Sequence, residues 1–144
     1  MTLMEAQAIV ESSNDPLAIR FEPGLYTASP GWIARILPLV RSLNSCSTDT
    51  AKMIACTSFG MYQLLGANIY SLGYAHEIMA YGDDILQQHR DYSDFMGRGG
   101  FSAYTDMDVT AIAMPELLAI ARYYNGPGNP QAYADALLKV ENKT

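Results

Sequence analysis

The chain has 144 residues, of which 49% are hydrophobic and 17% charged, a balance that excludes an intrinsically disordered protein. A chain of this length suits one domain with its own core, needing no disulfide or metal staple. Nine Lys and Arg stand against 15 Asp and Glu, and the formal charge of −6 argues against an electrostatic grip on nucleic acid or on an anionic membrane.

The predicted elements are mostly helical. Thr2–Ser12 carries Leu3, Ala6, Ile9 and Val10 at helical spacing, and Asn14-Asp15-Pro16 stops it, because a proline restricts the residue before it. Phe21–Gly31 holds two prolines and two glycines and reads as a loop or short irregular strands. Trp32–Leu43 is a predicted helix with Ile33, Ile36, Leu37 and Val40 on one face, which Pro38 is expected to kink or interrupt. Thr48 or Asp49 is the expected cap of the next helix. Ala55–Gly73 reads as buried helix pieces, and Ala75–Met96 as one long amphipathic helix ended by Gly97 and Gly99-Gly100. Asp106 or Asp108 caps the following stretch, Pro115–Tyr123 fits a helix with proline in its first turn, Tyr124–Pro130 is a Gly/Pro loop, and Gln131–Val140 is a final helix. The fold class is mainly α, with at most a small β-hairpin or irregular insert, in a single domain over 1–144.

Cys46 and Cys56 are too few for a disulfide framework or a cysteine-built zinc site and read as free thiols. His76 and His89 form no metal motif and read as surface residues. No metal and no cofactor is expected. No apolar run approaches the ~18 residues of a bilayer span. The segment Met1–Gln7 has neither a basic n-region nor an apolar h-region, so neither membrane insertion nor a secretory signal is expected.

Three segments break the simple amphipathic pattern. In Ile9-Val10-Glu11-Ser12-Ser13-Asn14-Asp15-Pro16, a carboxylate follows two β-branched residues at a helix C-terminal end. The helix dipole and burial would both disfavour its charge there, and a Glu that keeps its proton can serve as a general acid; alternatively, it is an exposed Glu on a polar face. In Ser58-Phe59-Gly60-Met61-Tyr62-Gln63-Leu64-Leu65-Gly66, Gly60 permits a close approach of backbone, and Gln63 sits among apolar residues and needs partners; the plainer reading of the segment alone is a core helix with one satisfied amide. In Arg122-Tyr123-Tyr124-Asn125-Gly126-Pro127-Gly128, a tyrosine precedes strong turn chemistry and can aim its hydroxyl into a cleft or simply pack.

Taken in order, Val10-Glu11-Ser12, Phe21-Glu22, Ser58 to Asn68, Gly73-Tyr74, Tyr124-Asn125-Gly126-Pro127-Gly128, Tyr133 and Leu137 resemble the lysozyme-like superfamily of goose-type lysozymes and lytic transglycosylases. The closer resemblance is to the phage endolysin N-acetylmuramidases. It implies a lysozyme-like, two-lobed helical domain with a central cleft, acting on peptidoglycan glycan strands between N-acetylmuramic acid and N-acetylglucosamine. By this resemblance Glu11 is the catalytic acid, Ser12 supports it, and Tyr124 brings a hydroxyl near it while Asn125 holds the turn. Ser58, Gly60, Tyr62 and Gln63 lie along the sugar cleft, and Glu22 is the candidate second carboxylate. Glu22 departs from the usual family pattern in being followed by Pro23, and its plain reading is a surface residue paired with Arg20.

With two carboxylates the product is a reducing sugar; with one, a 1,6-anhydro sugar, as in lytic transglycosylases. An inactive lysozyme-fold virion component is the remaining alternative. The resemblance further implies a monomer made in the host cytoplasm and delivered to the cell wall by a virion or a holin-dependent route. A charge of −6 facing an anionic wall suggests either such delivery or a cleft edged by Arg20, Arg35, Arg41, Arg90, Arg98 and Arg122.

Overall fold

The computed structural model describes residues 1–141; the predicted domain extends over 142–144, which lie outside the described residues. Helix α1 spans Leu3–Ser12. Its start is a capping box: the Thr2 hydroxyl accepts from the Glu5 N–H at 3.3 Å, and the Glu5 carboxylate accepts from the Thr2 N–H at 2.8 Å. It stops where predicted, with Ser13 and Asn14 both in left-handed backbone and the Asp15 carboxylate accepting from the Leu17 N–H at 2.9 Å.

Strand β1, Ile19–Phe21, pairs antiparallel with β2, Thr57–Phe59, which pairs with β3, Leu64–Leu65. Ser58 is central, opposite Arg20 on one side and Leu65 on the other. The helix pieces expected from Ala55 are therefore a hairpin as far as Leu65, and helix resumes only at α5, Gly66–Ser71. The reason is local. Gly60 at φ 80° and Gln63 at φ 49° reverse the chain, and the flanking Thr57 and Phe59 are residue types that suit a pleated surface.

Other boundaries moved for comparable reasons. The stretch read as a loop contains helix α2, Pro23–Ala28, because Pro23 stands in the first turn, where its missing N–H costs nothing. Helix α3 runs unbroken over Gly31–Asn44 with Pro38 inside it. Helix α4, Thr48–Ala55, is capped by Ser47, whose hydroxyl accepts from the Thr50 N–H at 3.1 Å, and not by Thr48 or Asp49. The long helix expected from Ala75 is a 3-10 segment, Ile78–Asp83, followed by α6, Ile85–Arg98; Asp84 caps α6 by accepting from the Gln87 N–H at 3.0 Å. Asp108 caps a further 3-10 turn, Val109–Ala111. Helix α7 spans Met114–Asn125 and α8 spans Pro130–Glu141.

Two packed groups result. Helices α3, α4 and α5 pack on one another, and α8 packs on α7 and α1. The main core runs through Leu3, Val40, Ile69, Leu117, Ile120 and Leu137, all fully buried. Each such side chain contributes about 1.5–3 kcal/mol of hydrophobic stabilisation. Tyr70, Tyr81 and Tyr92 are buried with them, and the Tyr70 hydroxyl donates to the His76 carbonyl at 2.9 Å, as a buried phenol requires. Cys46 and Cys56 are free thiols. His76 is exposed, whereas His89 is half-buried, its Nδ1 at 2.6 Å from the Tyr62 hydroxyl.

At Gly66, where β3 passes into α5, an added Cβ would stand 2.2 Å from the Ile54 carbonyl oxygen, a backbone atom that cannot step aside cheaply. Gly66→Ala is expected to lower stability by about 2–3 kcal/mol, read by urea denaturation. A loss within about 0.5 kcal/mol would contradict this packing.

Candidate active site

A cleft of ≈ 500 Å³ opens where the end of α1, the small sheet, the start of α3 and the ends of α6 and α7 converge. Glu11, Arg20 and Glu22 lie along it with Ser58, Gln63 and Asn68; Trp32, Phe95, Tyr123 and Tyr124 give it aromatic walls.

Glu11 is the second-last residue of α1. The turn that carries it is clamped by Ser12, whose hydroxyl donates to the Met61 carbonyl at 2.8 Å and accepts from the Asp15 N–H at 3.0 Å. Glu11 is half-buried, and the Tyr133 hydroxyl of α8 donates to its Oε1 at 2.6 Å. Burial pushes the Glu11 pKa up from the ordinary 4.5; the Tyr133 hydrogen bond and the Arg20 charge pull it back, and the Glu22 charge pushes it up again. The net direction is upward, toward a carboxyl that keeps its proton.

The expected site residues divide into two sets. Glu11, Glu22, Ser58, Gln63, Tyr124 and Asn125 are brought together on the cleft. Gln63 spends both amide hydrogens on the protein, donating to the Ala18 and Gly60 carbonyls at 3.1 and 3.0 Å, so its carbonyl oxygen is what it can offer a sugar hydroxyl. Glu22 Oε1 pairs with Arg20 Nε at 2.8 Å, and both side chains are substantially exposed, so the pair contributes about 0–1 kcal/mol and can open.

Ser12, Gly60 and Tyr62 stand apart from the cleft. Ser12 is the clamp just described. Gly60 borders a separate apolar depression of ≈ 180 Å³ with Leu17, Ile78 and Met79, and what approaches its backbone is the Gln88 side chain, 2.4 Å from the position of an added Cβ. Tyr62 is a core residue, its ring stacked on Tyr92 at 4.4 Å. Tyr124 shares the cleft with Glu11, and its hydroxyl donates to the Tyr62 carbonyl at 2.6 Å. The phenol hydrogen-bonded to Glu11 belongs to Tyr133, a motif residue to which the resemblance assigns no site role. Asn68 and Tyr123 also line the cleft, as does Trp32, which no motif marks; the signal for Trp32 is that the sole tryptophan opens an amphipathic helix and stays 46% exposed. Of the six arginines proposed for the cleft edge, Arg20 alone lines it among the described residues.

Among the described residues, no group of three or more His, Cys, Asp or Glu could hold a metal ion, and no helix is long and apolar enough to cross a membrane. A carboxyl whose pKa burial raises, sharing an aromatic-walled groove with a second carboxylate, suits a glycoside-cleaving enzyme. Residues 38–143 match the N-acetylmuramidase family. The endolysin of Enterobacteria phage PRD1 is 30% identical over 143 residues, which cover 96% of this chain and 93% of that protein. The chain belongs to the N-acetylmuramidase family, whose activity is glycosidic cleavage of peptidoglycan. No solved structure matches it. The family match begins beyond Glu11 and Glu22.

Because the folded-state pKa of Glu11 lies above its unfolded value, the protonated form stabilises the fold. That contribution is complete below the unfolded pKa and fades as pH rises through the folded one. Glu11→Gln, which is neutral throughout, should therefore gain in melting temperature over the wild type more at about pH 7.5 than at about pH 4. An equal difference at both pH values would contradict burial of the charge.

Proposed function

We propose that this chain cleaves the β-1,4 bond between N-acetylmuramic acid and N-acetylglucosamine, with Glu11 as the general acid. The observation that carries this is the half-buried Glu11 carboxyl, held at 2.6 Å by Tyr133 and facing a cleft of ≈ 500 Å³. The reaction develops positive charge at the anomeric carbon while the leaving oxygen needs a proton. Glu11 supplies the proton. Glu22, in the same cleft, is the candidate to activate water or to steady the cationic sugar, and release from Arg20 would free its Oε1. Trp32 and Tyr123 offer ring faces to the sugars, Gln63 and Asn68 polar contacts.

The pairing of Glu22 with Arg20 favours a second reading. If that carboxylate stays engaged, the muramyl C6 hydroxyl attacks in place of water and the product carries a 1,6-anhydro end. In either case the proposal is that residues 1–144 act as one monomeric catalytic domain of a phage lysis protein. The charge of −6 implies repulsion from the anionic wall, so delivery by a virion or a holin-dependent route at high local concentration fits.

Purified protein is expected to clear a cell-wall zymogram, and Glu11→Gln to lose about 10²–10⁴-fold in rate. Failure of the native protein to clear at any ionic strength would instead support the inactive virion component. Mass spectrometry of the digested muropeptides reads the chemistry. Reducing ends that disappear in Glu22→Gln support Glu22 as the second carboxylate; anhydro ends unaffected by that substitution exclude it.

A further inference from the structure

Gln7 lies one helical turn before Glu11 on the inward face of α1 and is 0% exposed. A buried amide must find partners or cost free energy, and those of Gln7 form a line that ends on the acid. The Tyr92 hydroxyl donates to Gln7 Oε1 at 2.5 Å, Gln7 Nε2 donates to the Tyr133 hydroxyl at 3.3 Å, and that hydroxyl donates to Glu11 Oε1 at 2.6 Å. The four side chains come from α1, α6 and α8, and of them only Glu11 reaches the cleft. An ionised carboxylate only accepts, so Tyr133 must give it its hydrogen. The phenol oxygen is then free to accept from an amide N–H, which turns the Gln7 carbonyl toward Tyr92. The chain thus has one direction, fixed at both ends.

We infer that Gln7 and Tyr92 are positioning residues that act through Tyr133, holding its hydroxyl as a donor to Oε1 so that the transferable proton of Glu11 sits on Oε2. This rests on the reading of Glu11 as the general acid. With Oε1 always receiving a hydrogen, the proton has one place to be, and the carboxyl cannot rotate without breaking the line. Polarisation along the chain also makes Tyr133 a better donor to the ionised form.

The test is the pH dependence of kcat for peptidoglycan cleavage by the full chain. Its alkaline limb reports loss of the acid's proton. Arg20 and Glu22 beside the sheet, Tyr124 of α7 and Tyr133 of α8 are the charged and titratable groups facing Glu11, and Gln7→Met leaves all of them in place. That variant is expected to lower kcat about tenfold with KM unchanged, and to move the alkaline limb up by about half a pH unit, because the ionised carboxylate loses support. In a Tyr133→Phe background, adding Gln7→Met should change neither kcat nor the limb further. Tyr92→Phe keeps the ring stacked on Tyr62, removes only the hydroxyl, and should act in the same direction; it carries the test if Gln7→Met does not fold. A limb that stays in place in both variants, or shifts equally with Phe or Tyr at 133, overturns the inference, even if melting temperature falls. Glu11→Gln with wild-type turnover would instead overturn the assignment of the acid itself.

Discussion

The site depends on one hydrogen bond, from the Tyr133 hydroxyl to Glu11 Oε1 at 2.6 Å. It joins residues 122 positions apart in the chain and ties the first helix to the last. In the proposed role of Glu11 as general acid, two opposed demands meet there. A general acid must keep its proton near neutral pH, which burial favours; it must also survive as an anion after giving the proton up, which a donor favours. Burial is the larger influence on Glu11 and the phenol a partial counterweight.

Much of the fold serves to keep that pair in register. The capping box fixes where α1 begins, and Ser12 clamps its far end to the β2–β3 turn through the Met61 carbonyl. Tyr124 reaches the same hairpin through the Tyr62 carbonyl, so the turn is gripped from α1 and from α7. Tyr92, Tyr124 and Tyr133 pack in succession, with centroids 6.2 Å apart at each step. Such a wall of phenols combines a large apolar surface with hydroxyls that need partners, and those partners define the geometry. The abundance of tyrosine in the chain has a structural purpose before it has a catalytic one.

Helical periodicity made α1, α3, α7 and α8 legible within a residue or two, because their apolar faces meet one core. It failed over Thr57–Leu65, where an apolar run too short to declare a period folds as a hairpin around two left-handed residues. It failed again at Asp84, where a local cap divides what the pattern joins. Its place at a helix end and the family resemblance both single out Glu11, and the fold sets it on the cleft. Tyr133 was not readable as its partner, since nothing local distinguishes a tyrosine in a last helix from an ordinary core residue. Trp32 lay at the start of a helix whose apolar face explained its neighbours and left it unassigned. The family resemblance also placed Tyr62 and Gly60 along the cleft; the hairpin sends Tyr62 to the core and Gly60 to a separate depression.

Arg20 is the lone cation lining the cleft among the described residues, against two carboxylates, so capture of an anionic glycan does not rest on a basic groove. Contact through sugar faces and hydroxyls fits these walls better, and leaves the proton of Glu11 as the quantity on which the proposed mechanism turns. The most direct measurement is therefore the titration of the Glu11 carboxyl itself, by carbon-detected NMR with Glu11→Gln to assign the signal. The account requires a midpoint above the ordinary 4.5; a midpoint at or below that value would contradict it.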